Sequence, residues 1–107
     1  MSTLKASPGL GGHLEGRDLG CEITVLFVTI SEVGKGPKLH WHPYDELFVI
    51  RRGRARFTVG DEVIEGGPGD VIRGPARVPH RFEVIEVPYE AQDIHLAPKW
   101  IQTDIED

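Results

Sequence analysis

The sequence lacks several features that define other classes of protein. It contains one cysteine, Cys21, so no internal disulfide can form, and a reducing compartment is expected. Its longest mainly apolar run, residues 23–30, is far shorter than the roughly 20 residues that span a bilayer. Residues 1–12 hold no apolar stretch of the kind that secretion signals carry. These absences predict a cytoplasmic protein, with Cys21 as a small buried residue.

Basic residues are also too few for several kinds of partner. Lysine and arginine number 12 against 17 acidic residues, which gives a net charge of −5. This balance argues against nucleic acid or an anionic membrane surface as a partner. Hydrophobic residues at 39% and charged residues at 27% are typical of a soluble globular protein, and 107 residues suffice for one domain.

Glycine and proline, by contrast, are frequent. The 13 glycines and 8 prolines would interrupt helices, but they suit short strands joined by tight turns. Runs typical of strands recur at 22–30, 37–42, 46–51, 54–60, 62–65, 71–73, 80–87 and 93–96, and Gly60-Asp61 suits a two-residue hairpin. The pattern predicts an all-β barrel or sandwich over residues 21–107. Residues 1–20 lack it and are expected to form a loosely ordered arm that can add a swapped strand to a neighbouring sheet.

Two histidines and a glutamate lie close together in the stretch GKGPKLHWHPYDELFVIRRG, residues 34–53. Side chains two apart on a strand share a face and are about 6.6 Å apart along the chain, so His40 and His42 can point to one centre. The same parity places Glu46 on their face. Imidazoles and a carboxylate that converge inside a barrel are costly to leave unpaired, and a divalent metal removes this cost. A second block, residues 69–84, starts an apolar strand at His80.

These two blocks resemble the two signature motifs of the cupin superfamily. The first motif is Gly, five residues, His-x-His, three or four residues, Glu, six residues, Gly, and it matches at Gly34, His40, His42, Glu46 and Gly53. The second is Gly, five residues, Pro-x-Gly, two residues, His, three residues, Asn, and it matches at Gly69, Pro75 and His80. Arg77 replaces its second glycine and Val84 its asparagine, so the turn geometry at Arg77 departs from the family pattern.

The resemblance implies a small single-domain cupin, folded as a β-barrel or double-stranded β-helix (jelly roll). It also implies one divalent metal ion per chain, bound by His40, His42, Glu46 and His80. Four protein ligands leave one or two positions for water or substrate, and nitrogen and oxygen ligands suit iron, manganese, nickel, zinc or copper. Strand parity adds an apolar substrate pocket, for which the candidates are Phe48, Ile50, Phe82 and Val84.

Three functions are open at this point. The favoured one is a metal-dependent enzyme of oxygenase type that acts on a small organic molecule, with Glu46 as a catalytic ligand that detaches and acts as a base. The second is a non-oxidative isomerase, lyase or cyclase that uses the metal as a Lewis acid. The third is a binding or sensing module without turnover. A shared fold does not separate them, because function depends on the pocket.

Other residues are expected to have smaller roles. His13 and His95, isolated in the terminal segments, are predicted to be ordinary surface or hydrogen-bonded histidines. Asp45 points away from Glu46 by parity and is at best a neighbour of the ligands. Solvated charge is the favoured interpretation of the arginines around the second motif, Arg73, Arg77 and Arg81.

The outer face of the predicted barrel is apolar in places. Trp41, Leu47 and Val49 have outward parity on their strands. An apolar outer face on so small a domain predicts a covering partner, and we expect a homodimer.

Overall fold

The computed structural model describes residues 5–105, so the first four residues of the predicted arm and the last two of the predicted domain lie outside it. The elements in chain order are β1 (His13–Leu14), a 3-10 turn (Gly16–Asp18), β2 (Thr24–Ile30), β3 (His40–Trp41), β4 (Glu46–Val59), β5 (Glu62–Gly66), β6 (Val71–Gly74), β7 (His80–His95) and β8 (Thr103–Asp104). Within residues 5–105 there is no helix of the length and apolar character needed to cross a membrane. The predicted all-β fold is confirmed.

All eight strands within residues 5–105 belong to one sheet, which curls into a barrel-like half-shell. Its frame is the antiparallel pair of β4 and β7, which hydrogen-bond along most of their length. The first part of β4 also pairs with β6 and its second part with β5. On the other side of the frame, β7 pairs with β2 and β3, and the two-residue strands β1 and β8 extend these. Part of the predicted arm, β1, therefore pairs with β2 of its own chain.

The two long strands are continuous where the sequence predicted breaks. The sequence predicts separate strands at residues 46–51 and 54–60, yet β4 runs through both, with shifts in register between Ile50 and Ala55. Gly53 lies at this irregularity with a φ of 75°, and a Cβ there would lie 2.5 Å from the carbonyl oxygens of Glu86 and Pro88. Glycine is required because the bent strands approach each other too closely for a side chain. The predicted hairpin at Gly60-Asp61 is confirmed by the pairing of Val59 with Glu62.

The inner face of the sheet carries an aromatic and aliphatic core. Phe48, Phe57 and Phe82 pack with ring centroids 4.9–6.2 Å apart, a spacing typical of favourable aromatic pairs. Ile50 and Val84 are fully buried beside them. Alternation on β4 and β7 thus puts the four predicted pocket residues on the inner face, namely Phe48, Ile50, Phe82 and Val84.

Side chains on the outer face of the sheet are more exposed to solvent than those of the core. Trp41, Leu47 and Val49 are half-buried, as an outer sheet face requires. Cys21 is exposed at a bend, so its predicted burial is wrong. The reason is its position before β2 begins, where strand alternation does not direct side chains to the core.

Candidate metal centre

Four buried side chains converge at one end of the inner face. Their potential ligand atoms, from His40, His42, Glu46 and His80, all lie within 4.8 Å of one another. Glu46 and His80 begin the two long strands, and His40 on β3 lies directly opposite His80 on β7. The structure therefore brings together the four ligands that the resemblance implied.

Backbone carbonyls set the orientation of the three histidine rings. The Nδ1 atoms of His40, His42 and His80 hydrogen-bond to the carbonyl oxygens of Lys38 (2.5 Å), Ile101 (2.7 Å) and Val78 (3.1 Å), respectively. A carbonyl oxygen only accepts, so each Nδ1 carries a proton. In the neutral ring the Nε2 lone pair is then free, which is the state that a metal-binding histidine needs.

The nitrogen and oxygen atoms of this cluster are chemically suited to a divalent metal. The Nε2 atoms of His42 and His80 each lie 3.1 Å from Oε1 of Glu46, so lone pairs face a carboxylate unless a cation or a ring proton intervenes. Nε2 of His42 is fully buried and makes no hydrogen bond with any described residue. Burial also lowers the pKa of His40, which favours its neutral form. Neutral imidazoles beside a carboxylate are the ligands that such metals prefer.

The second oxygen of Glu46 has a partner that the sequence interpretation missed. His95 is buried at the end of β7, and its Nε2 lies 3.1 Å from Oε2 of Glu46. A carboxylate only accepts, so Nε2 of His95 is the donor to Glu46. In the neutral ring Nδ1 is then an acceptor, and it lies 2.7 Å from the hydroxyl of Tyr44, which is also 3.2 Å from the carbonyl oxygen of Ile101. One carboxylate oxygen is thus tied to His95 while the other faces the histidine cluster.

These contacts set the charge state of Glu46. Burial by itself would raise the pKa of its carboxyl, but the close approach of the His42, His80 and His95 rings outweighs burial and holds the pKa well below the ordinary value. Glu46 is therefore a carboxylate. The signal for His95 was its alternation with Asp93 around the apolar Ile94, but only the pairing of β7 with β4 shows that this polar face points inward.

A cavity of about 190 Å³ lies next to the cluster. It is largely apolar, and its walls include Leu26, Val28, Phe48, Phe82 and Trp100, together with the carboxyl of Asp93. No lysine or arginine lines it among the described residues. Of the four predicted pocket residues, Phe48 and Phe82 line this cavity. Ile50 and Val84 pack deeper in the core, because parity determines which face a side chain takes but not how far it lies from the opening.

The C-terminal segment completes the site. Strand β8 pairs with His40 and Trp41, and the carbonyl of Ile101 accepts the hydrogen bond from His42. The main-chain N–H of Ile101 also donates to the hydroxyl of Tyr44, at 3.0 Å. The sequence carried no signal for these contacts, because they join residues nearly 60 positions apart.

The loop before β7 is positioned by Asp45. Its two carboxylate oxygens accept hydrogen bonds from the main-chain N–H of Ala76 (2.8 Å) and from Nε of Arg73 (3.2 Å). Arg77, where the motif prefers glycine, has a φ of 64° and donates its N–H to the carbonyl of His42 at 2.7 Å. Arg73, Arg77 and Arg81 do not line the cavity.

Comparison with known proteins identifies a matching family and a number of similar solved structures. The family model described as "Cupin domain" matches residues 27–98. A structure of oxalate decarboxylase from Bacillus subtilis at pH 4.6 is 21% identical with a TM-score of 0.79, covering 88% of this chain and 27% of that one. A second structure of that enzyme, from work on its Mn(II) centres, is 23% identical with a TM-score of 0.75, covering 84% and 26%. The likeness concerns the fold. No curated protein matches the sequence significantly.

Proposed function

The chain belongs to the cupin domain family, and on that premise we propose that it is a metal-dependent enzyme of oxygenase type that acts on a small organic molecule. The observation that carries the proposal is the convergence of three oriented histidines and Glu46 beside a mainly apolar cavity. A bound divalent metal would supply Lewis-acid activation and, if it is iron(II), redox chemistry with dioxygen.

The residues of the chain have separate tasks in this proposal. Four protein ligands leave one or two coordination positions for a substrate or water. Phe48 and Phe82 would hold the apolar part of the substrate and limit the entry of water. Glu46 is the candidate catalytic ligand, which would detach and act as a base at Oε1, because its Oε2 is held by His95.

A non-oxidative lyase is the second candidate. It is supported by the similarity in fold to oxalate decarboxylase, which spans most of this chain but about a quarter of that enzyme. The lining of the cavity argues against the same substrate, since its described residues include two carboxyl groups and no lysine or arginine to balance a dianion. A lyase of this kind would therefore act on a less charged molecule.

Metal analysis and turnover measurements separate these functions. Protein purified without a tag or chelator is analysed for metal, and the metal-free protein is reloaded anaerobically with iron(II), manganese, nickel, zinc or copper. We expect about one metal per chain in the wild type, its loss in His42→Ala and its retention in His13→Ala, since His13 is exposed and outside the cluster. Undiminished metal in His42→Ala would refute the site.

The reloaded protein is then given small diketones, catechols, thiols and oxalate. We expect oxygen uptake with one of the first three classes in the iron form. Release of carbon dioxide without oxygen uptake would favour the lyase. Ligand binding without turnover, with every metal, would favour a binding or sensing module.

We further propose a homodimer, because an apolar row crosses the outer face of the sheet. Val25 on β2, Ile94 on β7 and Leu47 on β4 are adjacent in register, and all three are half-buried. A second copy of the chain that covers this row would bury it from water. A cytoplasmic location, a small-molecule ligand and the absence of nucleic-acid and membrane partners stay predictions.

A further inference from the structure

Asp93 is a buried carboxyl group that does not belong to the four-residue metal cluster. It lies in β7 between Leu26 of β2 and Phe48 of β4, is 4% exposed, and contributes to the wall of the metal-site cavity. Its Oδ1 is fully buried and has no hydrogen-bond partner among the described residues. A buried polar atom without a partner is costly, and native structures rarely keep one that has no use. The position of Asp93 suggests that its partner enters with a ligand.

The surroundings of Asp93 determine which form of the carboxyl is present. No lysine or arginine lines the cavity within the described part of the chain, so no cation of the protein is placed there to balance a carboxylate. Burial raises the pKa of Asp93 well above its usual range. A protonated carboxyl offers an O–H donor as well as an acceptor.

The size and lining of the cavity limit the ligand. About 190 Å³ is smaller than the roughly 300–1,000 Å³ of pockets that hold drug-sized molecules, so the ligand is about the size of one ring. The aromatic walls at Phe48 and Phe82 favour an apolar body. The carboxylate of Glu46 and the lack of a lysine or arginine among the described lining residues disfavour a ligand with two negative charges.

We propose that Asp93 is the polar recognition group of this cavity, and that its carboxyl O–H donates a hydrogen bond to an oxygen of a small, uncharged, mainly apolar ligand. The ligand is the substrate of the proposed function, on which this inference rests. Its apolar body packs on Phe48 and Phe82, and the metal side of the cavity holds its reactive end. Asp93 thus selects for a carbonyl, ether or hydroxyl oxygen over an amine or a second carboxylate.

The test uses three ligands with the same ring and different head groups: cyclohexanone, cyclohexylammonium and cyclohexanecarboxylate. Their binding is measured by NMR titration of the full chain, both metal-free and loaded with zinc, which is redox-inactive. The variants are Asp93→Asn, which keeps an N–H donor, and Asp93→Leu, which has a similar shape and no polar group. Zinc affinity is measured separately for each protein.

We expect cyclohexanone to bind the wild type more tightly than the two charged rings. Its affinity should fall about tenfold in Asp93→Leu, the loss of one buried hydrogen bond, and stay within about threefold in Asp93→Asn. Asp93→Leu should also melt a few degrees higher than the wild type, because it removes an unpartnered buried group.

Other outcomes overturn the inference. One is that wild type and Asp93→Leu bind cyclohexanone equally well. Another is that cyclohexylammonium binds more tightly than cyclohexanone and loses this binding in Asp93→Asn. The third is that no ring shows saturable binding. A lower melting temperature in both variants would instead assign Asp93 a structural role and also overturn it. Zinc binding tests the proposed function separately. If zinc binds normally but the rings bind equally well without Asp93, only this inference is refuted. If zinc does not bind, the metal site itself is refuted.

Discussion

Replacing Tyr44 with phenylalanine is expected to destabilise the protein, whereas the same replacement at Tyr89 is expected to stabilise it. Both tyrosines are buried, at 9% and 0% exposure, and each replacement removes one hydroxyl. The hydroxyl of Tyr44 contacts Nδ1 of His95 at 2.7 Å and the main-chain N–H of Ile101 at 3.0 Å. The hydroxyl of Tyr89 is buried without a hydrogen-bond partner in the described structure. The two variants therefore form a matched pair.

The expected magnitudes follow from these contacts. Tyr44→Phe leaves Nδ1 of His95 buried and unpaired, while water can reach Ile101, which is 46% exposed. One unsatisfied buried group costs about 1–3 kcal/mol, so we expect a loss of about 2 kcal/mol. At roughly 4–8 °C per kcal/mol, the melting temperature should fall by roughly 8–16 °C. Tyr89→Phe should raise it by roughly 4–8 °C, because the free energy of unfolding increases by about 1 kcal/mol when an unpartnered hydroxyl is removed.

The assay is thermal unfolding followed by circular dichroism at pH 7, first with a chelator and then with one equivalent of zinc. Tyr44→Phe should also bind zinc about tenfold more weakly, because Tyr44 orients His95 and His95 orients Glu46. Tyr89→Phe should leave zinc affinity unchanged. Equal melting temperatures for the two variants would refute the hydrogen-bond argument, and unchanged zinc affinity in Tyr44→Phe would refute the positioning role of His95.

Three further outcomes are expected. Arg77→Gly should raise the free energy of unfolding by about 1 kcal/mol, because glycine adopts the φ of 64° without strain, and Arg77→Ala should give no such gain in denaturant titrations. Leu47→Arg should convert the proposed dimer to a monomer in light scattering, whereas Val63→Arg, at a site 65% exposed on β5, should not; a wild-type monomer would contradict the dimer. The pKa of Asp93 is higher in the folded protein than its ordinary value of 3.8. The folded state therefore holds this proton more tightly than the unfolded chain, and the free energy of unfolding falls as pH rises above 3.8. Metal-free Asp93→Asn should therefore gain stability relative to wild type between pH 4 and 7 in urea titrations, and a constant difference would refute the shift.

Short-range spacing was enough to predict much of the site. His40 and His42 are two residues apart, and the same alternation carries through Glu46 and Phe48, so the pattern itself indicates a shared inner face. Glycine and proline frequency indicated strands joined by turns, which the eight-stranded sheet confirms. The face that a strand residue takes and the position of a turn both depend on only a few neighbouring residues. A single sequence is therefore enough to predict them.

The tertiary structure decided which residues surround the four candidate ligands. His95 and Tyr44 meet across 51 positions, Ile101 reaches His42 across 59, and Asp93 enters the cavity wall only because β7 pairs with β2 and β4 in one register. A shift of one residue in that register would turn Asp93 and His95 to the outer face. Local alternation is the same in both registers, so the choice depends on the packing of the whole sheet, including the bend at Gly53.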